Sequence, residues 1–326
     1  MSVQGRIEVL LSRRQALQGL AAAGAAYALG RSGMSALADE TAPPGKPEPF
    51  RFVHFNDIHV QPELAAAKGF AKALSAAEAL RPRPDFILTG GDLVFDVLEA
   101  GPSRARELFT LYKKVIADNT SLPVHNTIGN HDVFGWVTQE GVSPQTPGYG
   151  REMAKDLLEM KETYHTFRHK GWQIFCLDNI QKADEGVYQG YLDDRQRSWF
   201  VAEMNKLDAK TPIVICEHIP LITVTLFDHG SLNENGAWRI GNNVVCRDAA
   251  DRLAILGTKN VRLCLSGHIH ERDRVEYRGM TFINDGAVCG NWWKGTYRGV
   301  KEGFGVYDLR TDGSFNYQYH EYGWKA

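Results

Sequence analysis

Five short polar blocks in this chain each begin where an apolar, strand-like run stops. Asp57-Ile58-His59 follows Phe52–Phe55, and Gly91-Asp92 follows Phe86–Thr89. Gly129-Asn130-His131-Asp132 follows Val124–Ile128, Glu217-His218 follows Ile213–Cys216, and Gly267-His268-Ile269-His270 follows Val261–Ser266. Apolar runs this short suit strands buried on both faces, the condition of a parallel sheet covered by helices. In open α/β sheets, groups that bind ligands gather at the carboxyl ends of the strands. The pattern therefore predicts α/β layering, with five strand ends delivering their polar groups to one point.

The remaining segments alternate accordingly. Helical spacing covers Leu64–Leu80, Arg104–Ala117, Glu152–Lys161, Asp194–Leu207 and Arg247–Leu256. Tyr164–Arg168 and Trp172–Leu177 read as an antiparallel pair turning at Lys170-Gly171. In the last third, Arg274–Tyr277, Met280–Asn284, Phe304–Leu309 and Phe315–Tyr319 read as strands joined by Gly-containing turns. With βα units first and hairpins last, residues 50–326 are expected to form one domain with a mixed sheet finished by antiparallel strands. Two long loops, 133–150 and 219–246, are expected to be functional.

The N-terminus reads as a targeting segment. Ser12-Arg13-Arg14-Gln15-Ala16-Leu17 precedes a small, weakly apolar stretch, and Ala36-Leu37-Ala38 offers a small-x-small cleavage pattern before Asp39. The arginine pair resembles a twin-arginine signal, which implies passage through the Tat translocon and a periplasmic or extracellular mature chain. A general secretory signal or an ordinary amphipathic helix is the competing reading of residues 1–38. The stretch is too short and weakly hydrophobic for a membrane span, and Pro43, Pro44, Pro47 and Pro49 make residues 39–49 a stiff linker. That leader carries a charge of +3, leaving −5 for the rest of a chain whose net charge is −2. A mildly acidic body lacks the basic footprint of a nucleic-acid partner. The five cysteines form no CxxC pair; Cys176, Cys216 and Cys264 sit in apolar runs, which leaves Cys246 and Cys289 as a disulfide candidate.

Residue types narrow the chemistry further. The blocks hold two Asp, one Asn and four His as candidate ligands: Asp57, His59, Asp92, Asn130, His218, His268 and His270. Mixed imidazole and carboxylate suits Mn, Fe, Zn or Ni rather than Ca, and the set is too large for one ion. Two ions sharing one carboxylate are expected. Such a pair, about 3.5–4 Å apart, can clamp the attacking and leaving oxygens of an in-line displacement at phosphorus.

Asp-x-His, Gly-Asp, Gly-Asn-His-Asp, His and Gly-His-x-His, in that order from Asp57 to His270, resemble the calcineurin-like metallophosphoesterase family. Asp-x-His and Gly-Asp-Leu-Val are most similar to its bacterial cyclic-nucleotide-phosphodiesterase-like branch. The resemblance implies a four-layer αββα sandwich of two mixed β-sheets flanked by helices. It implies that Asp57, His59 and His270 hold one metal, that Asn130, His218 and His268 hold the other, and that Asp92 bridges them. It further implies that His131 serves as acid to the leaving group, oriented by Asp132. Purple acid phosphatases are set aside, because their iron-ligating Tyr would fall on Phe95. The expected cofactors are two transition-metal ions, Mn or Fe favoured and Zn possible. The expected substrate is a small-molecule phosphate ester, a diester slightly favoured over a monoester. A metal-binding envelope protein without catalysis, or an extracellular phosphatase or nuclease of the same family, is the alternative.

Other polar residues stay open. Asp96 and Asp178 read either as groups that orient ligands or as turn and cap residues. Trp292 and Trp293 read either as an aromatic wall for substrate or as a hydrophobic plug. His229 and Trp238 are candidates to reach substrate from the 219–246 loop. His54, His125, His165, His169 and His320 read as packing or surface residues. Glu217 is expected to face away from the metals, since its neighbour His218 faces them.

Overall fold

A computed structural model describes residues 47–137, 140–183 and 187–326. The expected leader and the linker up to residue 46 lie outside the described residues. In chain order the elements are β1 (Phe50–Phe55), α1 (Ala66–Ala79), β2 (Phe86–Thr89), α2 (Pro102–Asn119), β3 (Val124–His125), α3 (Glu152–Leu157), β4 (His165–His169) and β5 (Trp172–Cys176). Next come β6 (Ile180–Lys182), β7 (Tyr188–Gly190), α4 (Asp194–Asn205), β8 (Ile213–Cys216), α5 (Leu226–His229), β9 (Ser231–Leu232), β10 (Trp238–Arg239) and α6 (Ala249–Leu256). The chain closes with β11 (Val261–Ser266), β12 (Asp273–Tyr277), β13 (Met280–Asn284), β14 (Gly303–Leu309) and β15 (Phe315–Glu321).

Two mixed sheets carry the site. One runs β15-β14-β1-β2-β3, with β1, β2 and β3 parallel and β14 and β15 antiparallel. The other runs β12-β13-β11-β8-β5-β4, its four central strands parallel and its edges antiparallel. Alternation along each strand decides what faces what. Phe52, Leu88, Trp172, Val214, Leu263 and Tyr307 come from both sheets and share one buried cluster, the layer between them. Within it Phe52 stacks on Phe86 at 5.3 Å and on Tyr307 at 5.0 Å between ring centroids. Their neighbours Val53, Phe55 and Ile87 point the other way and pack in the cluster that takes Phe70 of α1 and Phe109 of α2. Phe175 and Ile215 join the same cluster with Phe200 of α4 and Leu256 of α6. Helices thus cover both outer faces, and the expected four-layer αββα order is the one observed.

Local chemistry sets the boundaries. Pro102 opens α2 at its first turn, where a missing N–H costs nothing. Asp193 caps α4 by accepting from Gln196 N at 2.8 Å, a bond worth about 1 kcal/mol. The strand expected over Val124–Ile128 stops at His125. The reason is a side chain: Thr127 N donates to Thr89 Oγ1 at 3.0 Å instead of to the neighbouring backbone. The small hairpins β6–β7 and β9–β10 were not expected. All five cysteines are free and buried, so the disulfide between Cys246 and Cys289 does not form. Among the described residues, no helix is long and apolar enough to cross a membrane.

Candidate metal centre

The loops that follow β1 and β2 are clasped by backbone bonds before any side chain is considered. Asp57 N donates to Gly91 O at 3.0 Å, and Ile58 N and His59 N both donate to Asp92 O at 2.9 Å. Across the sandwich, Gly267 N donates to His218 O at 3.0 Å, joining the ends of β8 and β11. The Asp57 carboxylate then ties the two sheets together by accepting from His268 N at 2.9 and 3.0 Å. Gly129 is obligatory for size: a Cβ there would stand 2.2 Å from Asp92 Oδ1. Asp57, His59, Asp92, His268 and His270 all have positive φ, between 44° and 74°. Non-glycine residues adopt that backbone at a cost of about 1–3 kcal/mol each, and such strain concentrates at functional sites.

These strand ends bring all seven candidate ligands together. Each of the four imidazoles gives one ring nitrogen to a backbone carbonyl. His59 Nδ1 bonds Phe95 O at 3.1 Å, His218 Nδ1 bonds Gly90 O at 2.8 Å, and His270 Nδ1 bonds Gly290 O at 2.7 Å. His268 Nε2 bonds Asn243 O at 2.7 Å. Each ring's other nitrogen turns inward. His59 Nε2 and His270 Nε2 face one another at 3.2 Å, each 3.5 Å from a carboxylate oxygen, of Asp92 and Asp57 respectively. His218 Nε2 stands 3.0 Å from Asp92 Oδ2, 3.1 Å from Asn130 Oδ1 and 3.2 Å from His268 Nδ1.

This donor set fits two cations. A neutral imidazole that donates from one nitrogen presents a lone pair at the other, so wherever these rings are neutral their inward atoms are acceptors facing acceptors. The Asn130 amide nitrogen is buried without a partner, its oxygen being the atom turned to the cluster. Burial disfavours charge on every ring and holds His59 and His268 down to about 3. At His218 burial is outweighed by Asp92, which pushes it up to about 9; at His270 burial is outweighed by Asp57. The pocket as built calls for positive charge at both ends.

His131 and Asp132 part company. The His131 amide donates to Asp92 Oδ1 at 2.8 Å, and its half-buried imidazole sits at the pocket edge, 5.1 Å from the His59 ring. Burial lowers its pKa, but Asp92 and Asp96 outweigh that and raise it. Asp132 does not face that imidazole. Its carboxylate accepts from Leu93 N at 2.9 Å, Val94 N at 3.1 Å and Gly129 N at 2.8 Å, locking the loops after β2 and β3 together. The carboxylate beside His131 Nδ1, at 3.3 Å, belongs to Asp96. The family resemblance implied Asp132 as the orienting group; the turn at Asn130–Asp132 points consecutive side chains apart.

The two tryptophans also separate. Trp293 is buried, donates from Nε1 to His59 O at 2.9 Å, and fills the space that a Cβ on Gly69 would enter at 2.2 Å. Trp292 lies with its ring centroid 3.8 Å from His59 and 4.9 Å from His131. Tyr297 stands 5.6 Å from the His270 ring and Tyr188 5.9 Å from the His268 ring, so aromatic side chains border both halves of the cluster. From the 219–246 loop, His229 pairs with Glu271 at 2.8 Å, while Trp238 packs on Phe227 and is 49% exposed. Glu217 faces away from the cluster and pairs with buried Arg252. Cys289, absent from the expected ligand set, has its sulfur in one donor group with His59 and His270. Its only hint in the sequence is its place immediately before the Gly-bounded Gly290–Gly295 loop.

Two mixed sheets with a buried imidazole–carboxylate cluster across their strand ends have the architecture of a metallophosphoesterase. Residues 50–272 match the calcineurin-like phosphoesterase family, and the chain belongs to it. It is 26% identical over 223 residues to the 3',5'-cyclic adenosine monophosphate phosphodiesterase of Haemophilus influenzae, covering 68% of this chain and 67% of that one. It is 23% identical over 219 residues to a serine/threonine-protein phosphatase of Mus musculus, covering 67% of this chain and 63% of that one. The chain thus spans about two thirds of these curated relatives' length. A solved dimetal phosphatase from Danio rerio superposes with a TM-score of 0.59 at 13% identity, covering 85% of this chain and 97% of that one, a likeness of fold.

Proposed function

We propose that this chain is a two-metal hydrolase of phosphodiesters in the cell envelope. The observation that carries the reading is the set of four imidazoles, each anchored by one nitrogen to a backbone carbonyl with the other turned inward around Asp57 and Asp92. Asp57, His59 and His270 would hold one ion, Asn130, His218 and His268 the other, with Asp92 shared. When bound, such a pair supplies Lewis acidity at phosphorus and activation of water.

The chain's own groups supply the rest. His131, whose pKa Asp92 and Asp96 raise against the effect of burial, is placed to give its ring proton to a departing alkoxide. Such a proton serves alkoxides leaving from monoesters and diesters alike, and the diester preference rests on the pocket walls. Trp292 and Tyr297 on one side and Tyr188 on the other offer walls for two ester arms. The phosphodiesterase among the relatives points the same way. The Ser12–Leu17 segment supports Tat export to the periplasm or beyond.

The test is an assay of the manganese-loaded mature chain on bis-p-nitrophenyl phosphate and p-nitrophenyl phosphate. Turnover of the diester is expected to be the faster. Faster monoester turnover would remove the diester preference, and turnover of neither would remove the enzyme reading. For export, cell fractionation should find the wild-type chain in the envelope and an Arg13→Lys/Arg14→Lys variant inside; equal distribution would contradict it.

A further inference from the structure

Seven side chains account for the two proposed ions, and one donor at the pocket is left over. Cys289 is completely buried and free. Its sulfur, a nitrogen of His59 and a nitrogen of His270 all lie within 4.8 Å of one another. The backbone fixes it there: Cys289 N donates to Asp57 O at 3.2 Å, and the next residue, Gly290, takes the His270 Nδ1 bond at 2.7 Å. Residue 289 is thereby pinned to two of the three residues assigned to one ion. The thiol donates to Gly290 O at 3.6 Å, a weak bond of the kind sulfur makes, and hydrogen-bonds the His270 ring. The other cysteines have different surroundings: Cys216 lies between the sheets against Thr89 and Thr127, and Cys246 lies against Asn179 and Ile219 O. Among the described residues, Cys289 is the one cysteine in such a donor group.

We propose that Cys289 gives its sulfur to the ion held by Asp57, His59 and His270, making the two metal positions chemically unequal. Thiolate is a soft ligand and selects zinc, cadmium or cobalt over manganese. The Asp92, Asn130, His218 and His268 side has only nitrogen and oxygen donors and accepts harder ions. Zn–S and Zn–N bonds of about 2.3 and 2.1 Å put donors of one ion at most about 4.4 Å apart. The observed group, whose donor atoms lie within 4.8 Å of one another, is already close to that span. On binding, the S–H bond breaks, a sulfur–metal bond forms and the proton goes to water, with no change of oxidation state.

This inference rests on the two-ion reading, and its test separates the two. The metal-free full chain is loaded with cobalt, and its spectrum is compared with that of Cys289→Ser. The wild type should show thiolate-to-cobalt charge transfer in the near ultraviolet, absent from the variant although two ions still bind. Under competition between cadmium and manganese, the variant should lose roughly tenfold or more of the preference for cadmium. X-ray absorption of the zinc-loaded wild type needs no variant and should find a sulfur scatterer at about 2.3 Å. Two bound ions with only nitrogen and oxygen scatterers would overturn the sulfur assignment alone. Failure to bind any ion would overturn both readings.

Discussion

Asp96 Oδ1 lies 3.3 Å from His131 Nδ1, although Asp132 is the carboxylate next to that histidine in the chain. The two aspartates consequently predict different phenotypes. His131→Ala should lower kcat for an alkyl-leaving-group diester by about 10²–10⁴-fold, the usual worth of a general acid, and Asp96→Asn by a smaller factor of about ten. The double variant should be no slower than His131→Ala, because Asp96 acts through the ring; additive losses would contradict this. Asp132→Asn should instead unfold the chain at lower denaturant, by about 1.5–3 kcal/mol for its bonds to buried backbone amides.

Trp292 and Trp293 adjoin in sequence and differ in consequence. Trp293→Ala should cost about 3–5 kcal/mol of stability, since it empties the space beneath α1 and frees the His59 carbonyl. Trp292→Ala should leave stability nearly unchanged and raise KM for aryl diesters a few-fold to about tenfold, from ~0.5–1.5 kcal/mol of aromatic contact. Urea midpoints and steady-state kinetics separate the two.

His125 makes the sandwich acid-sensitive away from the metal centre. Its ring is buried, stacks on Phe167 at 3.7 Å, and is held down to about 3 by burial and by His165 and His169. The folded state therefore keeps it neutral while the unfolded chain protonates near its ordinary pKa of about 6.5. Stability from this group is full above about pH 6.5 and falls by about 1.4 kcal/mol per pH unit as pH drops towards 3. His125→Phe should make the slope shallower by about 1.4 kcal/mol per pH unit, read from urea midpoints between pH 7.5 and 5. His165, held down to about 4 by burial, keeps its own share. An unchanged slope would place the acid sensitivity elsewhere.

Chelation should destabilise the fold as well as stop turnover. Ligands bound only by the folded chain stabilise it by about 2.7 kcal/mol at one hundred times their Kd. Excess chelator should lower the Tm by several degrees, and manganese should restore it. A Tm indifferent to chelator would mean that the acceptor cluster is satisfied without cations.

The fold was legible because its central strands are buried on both faces. Phe50–Phe55, Phe86–Thr89, Ile213–Cys216 and Met280–Asn284 end where their apolar runs end, and β1, β2 and β8 lead directly into polar blocks. What escaped notice has no periodic signal. The β6–β7 and β9–β10 hairpins have strands of only two or three residues. The end of β3 was set by one threonine bonding another, Thr127 to Thr89. Within the site, the residues that gather as candidate ligands follow strand ends and could be read in order. Asp96 stood open between an orienting and a turn role, and neither its pairing with His131 nor the nearness of Cys289 to His59 and His270 could be read, because both come from loop packing.

The central claim is that this pocket works with two ions, and a metal titration tests it most directly. Metal-free chain receives manganese in sub-stoichiometric steps while bound metal and bis-p-nitrophenyl phosphate hydrolysis are followed together. Binding should saturate at two ions per chain, with turnover rising to its plateau as the second fills, and Asp92→Asn should lose both. Full turnover with one ion bound, or with none, would contradict the account.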